Sequence, residues 1–188
     1  KTIITKFKEK YRSTSHRLKG FNYASVGAYF ITVCCQNREH LFGEIIDEKM
    51  ILNDLGKIVF EEWKKTETIR TNIIIDEFII MPNHIHGIII IEEQKQSSKK
   101  CISVETNCNL SLPKQHGTSH TIGSIIRGFK IGVTKYARKN SNIYAVWQSN
   151  YYDRIIRNEA ELNNIREYIL HNPQKWTEDK NNTENTFI

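Results

Sequence analysis

The chain has 188 residues, 39% hydrophobic and 26% charged, with a net charge of +6 and a pI of about 9.1. That fits a single globular domain over 1–188 with a real core, and apolar runs as short as 73–75 and 88–91 exclude a bilayer-spanning helix. The opening residues alternate basic and apolar and lack the apolar centre of a signal peptide, so the expected compartment is the cytoplasm.

Residues 1–20 read as a basic arm: Lys1, Lys6, Lys8, Lys10, Arg12, Arg17 and Lys19 stand against Glu9 alone. Their lack of a clear apolar face argues against a membrane anchor. Residues 28–36 are aromatic and β-branched and predict a strand. Cys34 and Cys35 fall on opposite faces of it. With Cys101 and Cys108 they form no C-x-x-C pair, so these are incidental or buried thiols and not a zinc site.

A short strand pair is expected over 41–52. Asn53 can cap a helix running to about Thr66, with Leu55, Ile58, Val59 and Trp63 on its buried stripe. Two isoleucine-rich strands follow, 72–80 and 84–92, joined by a tight reversal at Met81, Pro82 and Asn83. This hairpin is so apolar that it is expected at the centre of the sheet. Residues 93–118 are polar and aperiodic and read as a long, variable surface loop.

A helix over 119–139 has Ile122, Ile125, Ile126, Phe129 and Val133 on one side and a basic outer face with Arg127, Lys135 and Arg138; Lys130 of the same helix is a further expected DNA contact. The span 106–152 has no Asp or Glu. Two basic zones in one small chain point to a polyanion, first of all nucleic acid. A strand and turn are expected within 143–156. The last helix begins near Asn158, with Glu161 in capping-box position, and ends at Pro173. The tail, 177–188, reads as flexible. The order β-α-β-β-α-β predicts an α+β, ferredoxin-like (RRM-like) antiparallel sheet with helices on one face and an added C-terminal helix.

His84 and His86 sit two apart on a strand, so both imidazoles project from one face and can share a divalent metal. A bare H-x-H is more often an ordinary surface pair. Tyr168 and Asn172, one turn apart on the last helix, change that balance. If the stripe Leu162, Ile165 and Ile169 packs on the sheet, Asn172 completes a His-His-Asn site and Tyr168 points into it. Asn172 precedes Pro173, which biases it away from helical dihedrals. A metal on a phosphodiester oxygen draws off charge and orients the phosphate, and a tyrosine hydroxyl can then form a phosphotyrosine. These donors do not choose the metal; phosphate chemistry favours Mg²⁺ or Mn²⁺.

The stretch EFIIMPNHIHGIIII (77–91) resembles the HUH motif of single-tyrosine HUH transposases. The stretch VWQSNYYDRIIRNEAELNNIREYILHNPQKW (146–176) resembles the C-terminal signature of their REP-associated branch, and segments 17–45 and 122–138 match as well. The resemblance implies Tyr168 as nucleophile, with His84, His86 and Asn172 as metal ligands. It further implies action on single-stranded DNA beside a hairpin (REP-like) element, a homodimer, a 5′-phosphotyrosine and a free 3′-hydroxyl. Tyr151 and Tyr152 are read as packing or base-stacking residues, and with Arg17, Lys19 and the basic helix face they complete the expected DNA contacts. Tyr23, Tyr29, Tyr136 and Tyr144 are expected to be structural, and His16, His40, His116, His120 and His171 lack a partner at metal spacing. The competing classes are a single-strand-binding module without catalysis and a metal-dependent nuclease without strand transfer.

Overall fold

The computed structural model describes residues 22–93 and 121–182. Arg17 and Lys19, the rest of the basic arm, nearly all of the polar loop with Cys101 and Cys108, and residues 183–188 lie outside the described residues.

The elements in chain order are β1 (Gly27–Cys34), β2 (Gly43–Ile46), β3 (Lys49–Leu52), α1 (Asp54–Ile69), β4 (Ile73–Met81), β5 (His84–Ile91), α2 (Ile122–Asn140), β6 (Tyr152–Ile156) and α3 (Glu159–Leu170), followed by a 3₁₀ segment, Pro173–Glu178. The main sheet runs β4-β5-β1-β6, with every neighbouring pair antiparallel. This is the α+β, ferredoxin-like arrangement expected from the order of elements. The strands β2 and β3 form a separate hairpin, closed by Asp47 and Glu48, both at positive φ. Such a turn matches the right-handed strand twist.

All three helices start where a side chain can satisfy a free backbone N–H. Asn53 Oδ1 accepts from Gly56 N at 2.9 Å, Thr121 Oγ1 from Ser124 N at 3.2 Å, and Asn158 Oδ1 from Glu161 N at 2.8 Å. Glu161 returns a carboxylate oxygen to Arg157 N at 2.9 Å, close to the expected capping box.

Period-two alternation divides β1 between two cores. Tyr29, Ile31 and Val33 are buried with Trp63 of α1 and Phe129 of α2; Phe30 faces the other way, toward Ile88, Ile156 and Ile169 of α3. Helices α1 and α2 therefore cover one face, and α3 is laid on the opposite one. On the first face Trp63 meets Phe129 edge-on, with centroids 5.0 Å apart.

The expected central hairpin is half central. Strand β5 lies inside the sheet, whereas β4 is its edge. The isoleucines of β4 are explained by cover on both faces, from α1 on one side and α3 on the other. A second difference is the tail. Pro173 does not end the helical course: Asn172 itself has φ −61 and ψ −40, and the chain tightens into the 3₁₀ segment. The bias of a residue before proline is a preference, here outweighed by burial of Asn172 and Pro173. The expected flexible tail is packed as far as Asn182, with Trp176, Asn181 and Asn182 buried.

Gly87 sits where Trp63 crosses the sheet. A Cβ there would lie 2.6 Å from Trp63 Cζ2 and 3.1 Å from Phe78 Cβ. Trp63 is fully buried and has no room to yield. Gly87→Ala is expected to destabilise the fold by about 1–3 kcal/mol, read as a lower urea midpoint at unchanged slope.

Candidate active site

The two histidines of β5 share the α3 face of the sheet. His84 is opposite Cys34 of β1 and Met81 of β4; His86 is opposite Thr32 and Ile79. Both are almost fully enclosed. Each has its Nδ1 held by a neighbour: Asn83 Oδ1 lies 2.8 Å from Nδ1 of His84, and Thr32 Oγ1 lies 2.8 Å from Nδ1 of His86. Asn83 Nδ2 donates to the carbonyls of Arg38 and Asn181, so Oδ1 is the atom left to accept from His84. The proton of His84 is therefore on Nδ1, and its Nε2 lone pair points into the site, the tautomer a metal ligand needs. Burial, with Arg38 and Lys180 nearby, pushes the His84 pKa down to about 3. Burial and the neighbouring His84 hold that of His86 well below its ordinary value. Both rings are neutral at neutral pH.

Helix α3 brings Tyr168 over this pair. Its hydroxyl is 3.2 Å from His86 Nε2, and its ring meets those of His86 and Phe30 edge-on. Tyr168 remains 43% exposed, so a large substrate can reach it. Burial of the phenol, then the charge of Asp179, raise its pKa, with Asn172 acting in the opposite direction. The helix is pinned to the edge strand by a two-pronged ion pair: Arg166 Nε and Nη2 donate to the two carboxylate oxygens of Asp76 at 2.7 and 2.9 Å.

Asn172 is buried below Tyr168, and its Oδ1 has no hydrogen-bond partner; neither does Nε2 of His84. Buried acceptors without donors are costly. Among the described residues, His84, His86 and Asp179 are the acidic, thiol or imidazole side chains whose ligand atoms cluster within 4.8 Å of one another. Two imidazole nitrogens and a carboxylate form a donor set that fits a divalent cation. The sequence reading missed Asp179. It lies in a polar stretch with no periodicity, and only the fold of the 3₁₀ segment returns it to the histidines.

Within the described residues the expected DNA contacts divide between two places. Arg127, Lys130, Lys135, Arg138 and Tyr151 line a groove of about 990 Å³ between α2 and residues 144–151, with no acidic residue among the described residues that line it. Lys130 differs from the others. Its ammonium turns inward to the carbonyls of Gln148 and Asn150, at 2.7 and 2.9 Å, and burial pushes its pKa down to about 8. It braces the groove wall and does not present its charge on the rim. Tyr152 leaves Tyr151 and opens, with Arg154 and Arg157, onto a separate cavity of about 320 Å³. His40 packs on Trp176, and His171 bonds the carbonyl of Glu167, so neither joins the site. Cys34 and Cys35 are free thiols, and burial raises the pKa of both. No helix of the described residues is long and apolar enough to cross a membrane.

No family model matches the chain. A protein of Haemophilus influenzae, described as uncharacterized, is 52% identical over 172 residues, 88% of this chain and 91% of its own length. The solved structure of a REP-associated tyrosine transposase, bound to a REP hairpin, overlays with a TM-score of 0.59 at 19% identity, across 89% of this chain and 77% of that one. At that identity the likeness is one of fold. The chain belongs to the family of the Haemophilus influenzae protein, and it carries a transposase-like fold.

Proposed function

We propose that the protein nicks single-stranded DNA and transfers the cut strand through a covalent 5′-phosphotyrosine on Tyr168, beside a DNA hairpin that it recognises. The observation that carries this reading is a half-exposed tyrosine whose hydroxyl is 3.2 Å from His86, next to the converging ligand atoms of His84, His86 and Asp179. His84, His86 and Asn172 would hold a divalent ion, Mg²⁺ or Mn²⁺, with Asp179 within reach of the same place. Such an ion, when bound, neutralises charge on the scissile phosphate and orients it. Tyr168 Oη forms the new bond to phosphorus, its proton passing to solvent. The bond to the 3′ oxygen breaks, and that oxygen takes up a proton to leave as a hydroxyl. The phosphoester bond energy is retained in the phosphotyrosine, so a second 3′-hydroxyl can reverse the step and join a new strand. A hydrolase would have no use for the tyrosine in this position. The homodimer implied by the family resemblance and the cytoplasmic location expected from the sequence belong to the same proposal.

The test is a denaturing gel of labelled single-stranded oligonucleotides carrying hairpins, incubated with protein and Mg²⁺ or Mn²⁺ against EDTA. A metal-dependent band shifted by the mass of the protein is the expected result. Turnover to free cut strands with no adduct trapped at any time would replace this reading with simple hydrolysis. Binding on a native gel without cutting would replace it with a single-strand-binding module.

The groove along α2 is the proposed track for the strand's backbone. Arg127→Ala and Lys135→Ala, both at exposed positions, are expected to weaken oligonucleotide binding and to flatten its salt dependence by roughly 0.7 in log–log slope for each phosphate no longer neutralised. Fluorescence anisotropy across a salt series measures both. An unchanged slope would remove the groove from the DNA path.

A further inference from the structure

The approach of Asp179 to His84 is not an ordinary ion pair. Asp179 Oδ2 lies 3.8 Å from His84 Nε2, and both groups are enclosed. Because Asn83 takes the Nδ1 proton of His84, the atom facing the carboxylate is a lone pair. A carboxylate oxygen and an imidazole lone pair repel each other across such a gap. A cation placed between them makes this convergence favourable.

The carboxylate is also firmly held. Its Oδ1 accepts from Asn181 N at 2.6 Å. The carbonyl of Asn181 accepts from Asn83 Nδ2 at 2.7 Å, and Asn83 in turn holds His84. Arg38 Nη1 donates to the carbonyl of Lys180, and Trp176 packs against the rings of His84 and His40. The segment 173–182 is thus an arm laid on the site, joined to it through polar groups and one indole.

We infer that Asp179 is a direct ligand of the ion held by His84 and His86, so that ion binding and docking of the arm 173–182 are one linked equilibrium. The inference rests on the ion site of the proposed function, but not on its chemistry. By linkage, whatever factor the docked arm adds to ion affinity, the ion adds to arm docking. Ion-free protein therefore holds the arm less firmly than ion-loaded protein.

The test uses Mn²⁺ alone, without DNA. Free Mn²⁺ is followed by electron paramagnetic resonance in a titration, and amide hydrogen exchange of 173–182 is recorded with and without the ion. Asp179→Asn keeps an oxygen for Asn181 N; Asp179→Ala removes it. Both are expected to weaken Mn²⁺ binding by roughly 10- to 100-fold or more, the loss seen even for groups one step removed from a metal. In the unaltered protein, Mn²⁺ is expected to slow exchange of the Asn181 and Asn182 amides, and in both variants that response disappears. Unaltered Mn²⁺ affinity in Asp179→Ala overturns the ligand assignment. Exchange in the arm that ignores Mn²⁺ in the unaltered protein overturns the linkage. A protein that binds Mn²⁺ in this way yet forms no DNA adduct leaves the inference standing and sinks the nicking reading. No Mn²⁺ binding at all sinks both.

Discussion

Tyr168→Phe is expected to abolish the covalent DNA adduct while leaving the fold and DNA binding in place. The phenyl ring keeps the edge-on packing with Phe30 and His86, whose centroids lie 6.1 and 5.3 Å away. The variant gives up one half-exposed hydrogen bond to His86, and about 1 kcal/mol of stability at most is at stake. The chemical loss is expected to be total, because among the described residues no other tyrosine is placed at the histidine pair. Tyr151 is in the α2 groove on the other side of the sheet, and Tyr152 opens onto a different cavity. The denaturing gel reads the result directly; an adduct of undiminished yield in the variant would move the nucleophile elsewhere. The pH profile provides a second readout. Burial and Asp179 raise the pKa of the phenol, so at neutral pH it carries its proton and the phenolate fraction grows with pH. Adduct formation at saturating metal is accordingly expected to accelerate as pH rises from neutral toward the tyrosine range, and the dependence should vanish with Tyr168.

His84→Ala should remove metal-dependent nicking and, separately, lower stability. The first effect follows from loss of the Nε2 donor. The second follows from Asn83 Oδ1, which would be deprived of the His84 N–H in an enclosed place, at a cost of about 1–3 kcal/mol. The two effects are separable. Free imidazole can enter the space left by the side chain and return a nitrogen to the site, so partial rescue of nicking by added imidazole is expected. Chemical denaturation measures the stability loss alone. A variant that melts like the parent and nicks at the parental rate would remove His84 from the site.

Much of this arrangement is legible in the residues. Two histidines in period two on a strand have to share a face, and Tyr168 and Asn172 have to share one on a helix. Their meeting requires α3 to lie across the sheet face opposite α1 and α2, and the stripe of Leu162, Ile165 and Ile169 is the clue to that packing. What escapes the sequence depends on tertiary placement. Asp179 has no local signal, because its place beside the histidines arises from the return of the chain after Trp176. Lys130 is spaced like the other groove cations, but the carbonyls of Gln148 and Asn150 capture it. Asn83 reads as a turn residue, and it is one; its amide also fixes the tautomer of the next residue in the chain. The isoleucines of β4 suggest a central strand because burial on both faces leaves the same mark whether the strand lies inside the sheet or at an edge covered by helices.

That edge strand is also interrupted. Ile75 pairs with Ile89 and Phe78 with Gly87, so Asp76 and Glu77 together stand opposite Ile88. The bulge turns Asp76 toward Arg166 and breaks the row of backbone groups along the outer rim. A straight run of isoleucines with an open rim is a template on which other chains can stack as fibrils. Two carboxylates at the interruption, one of them capped by an arginine, deny that template a continuous ladder. The same contact that seats the tyrosine helix thus also guards a crowded solution of this protein against self-association through its stickiest strand.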